Sequence, residues 1–199
     1  HLSTIEGGII NTNDTDLFNV LKSIRSHGWD RDMDEGHRNH LRSKYKISEF
    51  ENLYKFYHFG FNLRSTDLSA FIGISQLEKA QYMCKVRHDN FDLYNQKIVN
   101  SFWSPALYDD CYVSNFAYPL ISPHRDAIVE NLTKEGIEVR PLVCGNLGNQ
   151  PVWKNNFEEV SLPNAEKVDS FGMYLPNNHE MGEKEISIIS NVINSVIKN

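Results

Sequence analysis

Residues 112–143 read strand, helix, strand, and that alternation restricts the fold of this chain more than any other stretch. Residues 112–120 alternate in the two-residue period of a strand. Ser122 and Pro123 then supply a capping residue and a proline at the first helical position, and Gly136 suits the residue that closes a helix. Residues 137–143 form the next strand and run directly into Cys144 and Gly145. Two strands joined through a helix are a β-α-β unit, so an α/β architecture is expected.

Upstream of that unit, Thr66 or Asp67 caps a helix that reaches about Arg87. Its first half (Leu68, Ala70, Phe71, Ile72, Ile74) is apolar nearly all round, which predicts burial between layers. A second helical stretch covers 88–98, and SFWSP at 101–105 breaks the pattern, placing a domain boundary between 1–104 and 105–199. Nearer the start, residues 7–11 (GGIIN) read as a short buried strand followed by a helix capped by Asp14 or Thr15. That helix carries Leu17, Val20, Leu21 and Ile24 on one apolar face. Residues 30–58 are charged, His-rich and aperiodic, a long excursion whose end is packed by Tyr54, Phe56, Tyr57, Phe59 and Phe61. The last helix places Ile186, Ile189, Val192, Ile193 and Val196 on one face, with Glu183 and Glu185 near its start and Lys198 at its end, complementing the helix dipole.

Composition narrows the partners. A net charge of -6 argues against nucleic acid, whose phosphates want a basic face. No apolar run approaches the ~18–20 residues a bilayer span needs, and no charged-then-apolar leader opens the sequence. Cys84, Cys111 and Cys144 are odd in number and widely spaced, which suits reduced thiols in the cytoplasm better than a disulfide framework.

Several short stretches carry chemistry. STIEGG at 3–8 sets Ser3 and Thr4 beside two glycines that permit close backbone approach; alone, such a pair before an apolar run is most often a turn. In GFNLRSTD at 60–67, Asn62 and Arg64 precede a helix N-terminus, a place suited to phosphate; the alternative is a capped turn with Arg64 paired to Asp67. RSHGWDR at 25–31 offers His27 as a donor to a sugar or phosphate oxygen, or as an exposed loop residue. It offers Trp29 as a stacking face, or as an anchor for the loop. Arg140 in IEVRPLVCGNLGNQP suits a diphosphate through its planar, permanent cation, or stands exposed at a strand end, and Asn146 follows in the glycine-bearing loop. His37 and His40 have H-x-x-H spacing without a Cys or acidic partner, so no metal site is assigned.

The order and distances of STIEGG, GFNLRSTD and the 136–151 segment resemble the DegT-type sugar aminotransferases, a branch of the fold-type-I pyridoxal-phosphate (PLP) superfamily. The resemblance covers essentially the whole sequence. It implies the end of a large PLP-binding α/β domain followed by a small α+β C-terminal domain. In that family the catalytic Lys lies just before the EGG motif, so the matching position falls one residue before His1 and none of the catalytic residues lies within the 199. A subgroup carries His there, followed by a second His as in HLSTIEGG, holds pyridoxamine phosphate (PMP), and removes the 3-hydroxyl of 4-keto-6-deoxy sugar nucleotides; there His works as a base. Arg-Pro-Leu followed by Cys-Gly-Asn-Leu resembles this GDP-sugar 3-dehydratase branch. The resemblance further implies a homodimer in which Asn62 reaches the partner subunit's cofactor phosphate, a cofactor contact from Ser3, and substrate contacts from His27, Trp29, Arg64, Arg140 and Asn146. It implies glutamate as the amino donor. A C4 aminotransferase, or a non-catalytic relative that keeps the fold, are the alternatives.

Overall fold

The computed structural model describes residues 2–99 and 111–198. These divide into two compact units, Leu2–Leu77 and Glu78–Asn199, with the division inside one long helix, α3 (Asp67–Lys97). The boundary expected at SFWSP lies outside the described residues.

The second unit is a three-stranded antiparallel sheet covered by helices. Strand β1 (Ala117–Ile121) leads to helix α4 (Arg125–Lys134) and then to strand β2 (Arg140–Pro141). Short helices α5 (Pro151–Lys154) and α6 (Pro163–Phe171) follow, then strand β3 (Gly172–Pro176) and helix α7 (Glu183–Ile197). Spatial order is β1-β3-β2, and β3 runs antiparallel to both neighbours. Strands β1 and β2 are therefore parallel to one another with β3 inserted, a split β-α-β rather than the simple unit read from 112–143. The inserted strand GMYLP escaped sequence reading because Gly172 and Pro176 at its ends look like turn residues. Both outer strands contain a proline, Pro119 and Pro141, which an edge position tolerates because no ladder donor is needed on the open side.

The core of this unit follows from strand alternation and helix period. Tyr118 and Leu120 of β1 and Met173 and Leu175 of β3 are buried with Ile128 and Leu132 of α4, Ile186, Ile189 and Ile193 of α7, and Phe91 and Tyr94 of α3. The α7 face matches its sequence reading, and each such side chain contributes about 1.5–3 kcal/mol through burial. Tyr94 donates to the Pro176 carbonyl (2.8 Å) and Tyr118 to Asn95 Oδ1 (2.9 Å), so neither phenol is stranded. Burial pushes both hydroxyls up, Tyr118 to about 12. Gly136 is left-handed at φ +72° just past α4, as its place in the sequence predicts.

The first unit differs. Helix α1 (Thr15–Ile24) is capped by Asp14, whose Oδ1 accepts from the amides of Asp16 (2.9 Å) and Leu17 (3.0 Å). Its buried residues are Asn19 and Ser23, while Leu17 and Phe18 of the apolar side stay close to half exposed. Residues 7–11 form no strand, and Ile9 and Ile10 stand exposed, because no neighbour among the described residues offers them a ladder. The two helical stretches at 66–87 and 88–98 join into the single 31-residue α3, since no glycine or proline interrupts them near Arg87. Its apolar first half is not buried: Leu68, Phe71, Ile74 and Leu77 are each exposed, with no apolar layer in Leu2–Leu77 to cover them. The 30–58 excursion contains helix α2 (Glu35–Lys44) and a 3-10 turn (Glu51–Tyr54). Of the five aromatics expected to pack its end, only Tyr57 is partly buried, and Phe59 is fully exposed.

Candidate active-site ribbon

Four of the candidate residues, His27, Trp29, Asn62 and Arg64, sit on two short segments held side by side by backbone hydrogen bonds. As α1 ends, Ser26 forms an antiparallel bridge with Asn62. Around it Phe61 N–H donates to the Ile24 carbonyl (2.7 Å), Leu63 N–H to the Arg25 carbonyl (2.8 Å), and His27 N–H to the Phe61 carbonyl (2.8 Å). The chain turns at His27 and Gly28, both left-handed at φ +62° and +89°. Gly28 is required here: a Cβ would run into the His58 backbone carbonyl, and one on Gly60 would run into the Gly28 amide. His27, by contrast, occupies a conformation that side chains rarely adopt, and such residues persist where neighbours hold them and cluster at functional sites.

The candidates on this ribbon fall into two kinds. Asn62 and Arg64 are exposed, and neither side chain has a hydrogen bond or ion pair among the described residues. The Arg64–Asp67 pair that the sequence allowed does not form. Thr66 Oγ1 instead caps α3 by accepting from Ser69 N–H (3.2 Å). An amide and a guanidinium just before a helix N-terminus are a fit for a phosphate group, and among the described residues no carboxylate is paired with Arg64, although Asp67 opens the helix. Trp29, in contrast, is occupied. Its Nε1 donates to Ser26 Oγ (2.8 Å), its ring stacks on Phe56 with centroids 5.9 Å apart, and the Arg31 guanidinium lies 3.7 Å from its centroid. The His27 and Trp29 rings meet nearly perpendicular, with centroids 5.0 Å apart at 82°, so Trp29 packs against the imidazole.

Ser3 is exposed on the segment leading to EGG, and Thr4 beside it lies against α3: a Cβ on Gly73 would come within 3.3 Å of its Cγ2. In the other unit, Arg140 is exposed and paired with Glu138 through Nε (3.0 Å) and Nη2 (2.7 Å). Asn146 is buried, and its amide is committed to neighbours: Oδ1 accepts from Gly148 N–H (3.0 Å) in its own loop and Nδ2 donates to Glu166 (3.0 Å) of α6. His37 pairs with Asp16 (2.9 Å), and among the described residues no group of His, Cys, Asp or Glu is arranged to hold a metal. Among the described residues no helix is long and apolar enough to cross a membrane.

Sequence reading missed the support beneath the ribbon. Asp30 is fully buried; its carboxylate accepts from Arg42 Nε (2.9 Å) and Asn52 Nδ2 (3.2 Å), and Tyr57 donates to Asn52 Oδ1 (2.7 Å). Burial, with the Asp30 charge nearby, raises the Tyr57 phenol. His58 Nδ1 meets Ser23 Oγ at 3.0 Å. Apart from Tyr57 and Asn52, five residues apart, these partners lie 12 to 35 residues apart, beyond any local pattern.

The family model of the DegT/DnrJ/EryC1/StrS aminotransferases matches residues 1–196. The chain belongs to that family. Two GDP-4-keto-6-deoxy-D-mannose 3-dehydratases are among its relatives, one from Yersinia pseudotuberculosis at 31% identity and one from Escherichia coli O55:H7 at 32%, each over 97% of this chain. The chain spans about half the length of the curated relatives it matches, 51% in both cases. A solved Escherichia coli 3-dehydratase with bound hydrated PLP superimposes at a TM-score of 0.72 and 29% identity, covering 92% of this chain and 48% of that one. A sugar aminotransferase from Micromonospora echinospora shares the fold at a TM-score of 0.78 and 21% identity, over 98% and 48% of the two chains. The fold is thus that of a PLP-enzyme half, mixing helices and sheet as the sequence implied.

Proposed function

We propose that this chain is the C-terminal half of a PLP- or PMP-dependent enzyme that removes the C3 hydroxyl of a 4-keto-6-deoxy sugar nucleotide for surface polysaccharide. The observation that carries this is the match along 97% of the chain to two 3-dehydratases at 31–32% identity. A C4 aminotransferase is the second reading, favoured by relatives such as the UDP-4-amino-4,6-dideoxy-N-acetyl-beta-L-altrosamine transaminase of Campylobacter jejuni, at 24% identity over 99% of this chain.

When bound, the cofactor supplies an electron sink next to the sugar's C4. What this chain adds is recognition and proton handling. Asn62 and Arg64 offer a neutral donor and a cation to phosphate; in a homodimer Asn62 serves the partner's cofactor, with Ser3 beside the cofactor of its own subunit. His27, held left-handed and braced by Trp29, presents its imidazole to substrate oxygen. Arg140 is available for a diphosphate, because its exposed pair with Glu138 is worth about 1 kcal/mol or less and gives way easily. Glutamate is the amino donor in this scheme, and the enzyme works in the cytoplasm.

The deciding residue is the one preceding His1 in the full-length protein. An absorbance spectrum of that protein with added PLP, before and after borohydride, identifies it. Cofactor that binds without becoming covalently fixed means His and the dehydratase. Cofactor fixed by borohydride means Lys and the aminotransferase. No cofactor binding sinks both readings and leaves a non-catalytic relative.

A further inference from the structure

Asp30 is the one carboxylate of the first unit that is fully removed from water, and its side chain is hydrogen-bonded to Arg42 and Asn52, neither of them a candidate ligand-binding residue. Its partner Arg42 keeps 30% of its side chain exposed, so the carboxylate alone is taken out of water. That desolvation offsets much of the attraction and makes the pair a poor source of stability. What it provides is geometry. The contacts of Asp30 form a closed circuit. Arg42 reaches it from α2, Asn52 from the 3-10 turn, and Tyr57 grips Asn52. The backbone amides of Tyr57 and His58 then both donate to the Gly28 carbonyl (2.7 and 3.2 Å). Gly28 follows His27 in the turn, and the same ribbon carries Asn62 opposite Ser26. The circuit therefore leaves the loop at Asp30 and returns to it at Gly28, two residues away, by way of the whole 30–58 excursion.

We propose that Asp30 is a positioning residue: through Arg42, Asn52 and Tyr57 it fixes the turn at His27–Gly28 and hence the placement of Asn62. The inference rests on the reading that Asn62 meets a cofactor phosphate. It gives the charged, aperiodic excursion a purpose, which is to brace the ribbon from behind while leaving its front open.

The test is a double-mutant cycle on the full-length protein, with PLP affinity read by absorbance titration and folding checked by thermal melts. Asp30→Asn keeps the shape and removes the charge. Affinity is expected to fall about tenfold in Asn62→Ala and by a similar factor in Asp30→Asn at temperatures where both remain folded. The double variant is expected to bind no more weakly than Asn62→Ala alone, because Asp30 acts through Asn62. A merely structural Asp30 would lower the melting temperature yet leave the affinity of the folded protein unchanged, or add its loss to that of Asn62→Ala; either result overturns the proposal. Should Asp30→Asn not fold, Tyr57→Phe breaks the same circuit at a milder point and must show a smaller loss that Asn62→Ala likewise absorbs. Equal affinity in wild type and Asn62→Ala would instead overturn the role of Asn62, and the positioning role with it. A drop in Asn62→Ala with none in Asp30→Asn or Tyr57→Phe removes the positioning role only.

Discussion

The two units solve the burial problem in opposite ways. Glu78–Asn199 closes an apolar core in which Ile98 and eleven side chains from α3, β1, α4, β3 and α7 interlock. Leu2–Leu77 buries Asn19, Ser23, Ser26, Asp30 and Asn52, with Met33 as its buried apolar side chain, and leaves Ile9, Ile10, Phe59, Leu68, Phe71 and Ile74 in water. Apolar residues exposed in such number mark a surface meant to be covered, whereas buried polar groups with full hydrogen bonding specify one geometry at little gain in stability. One unit is built to stand by itself. The other is built to hold a ribbon in place and to be completed by something else.

The sharpest way to break this contrast is to separate the units. Residues 78–199 expressed alone are expected to unfold cooperatively on heating, whereas 2–77 alone should show no cooperative transition by circular dichroism. Point substitutions come next. Leu120→Ala in the closed core is expected to cost about 2–5 kcal/mol in chemical denaturation, while Leu68→Ala on exposed α3 should stay within about 0.5 kcal/mol. Similar losses at both sites would mean that the apolar face of α3 is covered after all.

A pH titration sharpens the comparison further. The Tyr94 and Tyr118 phenols stay protonated in the folded core, with Tyr118 pushed up to about 12, whereas in the unfolded chain they ionise near 10. The stability this gives is whole below pH 10 and is lost as pH climbs toward 12, by up to about 1.4 kcal/mol per pH unit for each tyrosine. Denaturant midpoints from pH 9 to 12 measure it, and Tyr118→Phe should flatten the curve. A smaller effect belongs to the ribbon. His27→Gly relieves a left-handed side chain and is expected to raise stability by about 1 kcal/mol, while turnover by the full-length protein falls. At the bottom of the scale, Lys134→Gln removes an exposed ion pair with Glu130 and should leave the melting temperature unchanged.

Local signals were legible where neighbours in sequence are neighbours in space. The Asp14 cap, the buried face of α7, the left-handed Gly136 and the helix that follows GFNLRSTD were all readable, because caps and helix faces depend on residues three or four apart. The STIEGG and GFNLRSTD stretches were enough to place the chain in its family. Three expectations failed together: the GGIIN strand, the buried first half of α3 and the packed aromatics at 54–61. Each inferred burial from hydrophobicity, and hydrophobicity says that a surface wants a partner without saying that these 199 residues contain it.

What the sequence by itself determined is the helices whose caps and apolar faces are local (α1, α3, α4 and α7) and the family to which the chain belongs. Only the tertiary structure decided the rest: that β3 inserts between β1 and β2, that Trp29 and Asn146 spend their polar groups on neighbours while Asn62 and Arg64 do not, and that Asp30 anchors the excursion. Strand order and the partners of Asp30 are settled by contacts 12 or more residues apart, through which packing selects among many pairings that the local sequence leaves equally open. Even the short-range bonds of Trp29 and Asn146 form only in the loop conformation that packing selects.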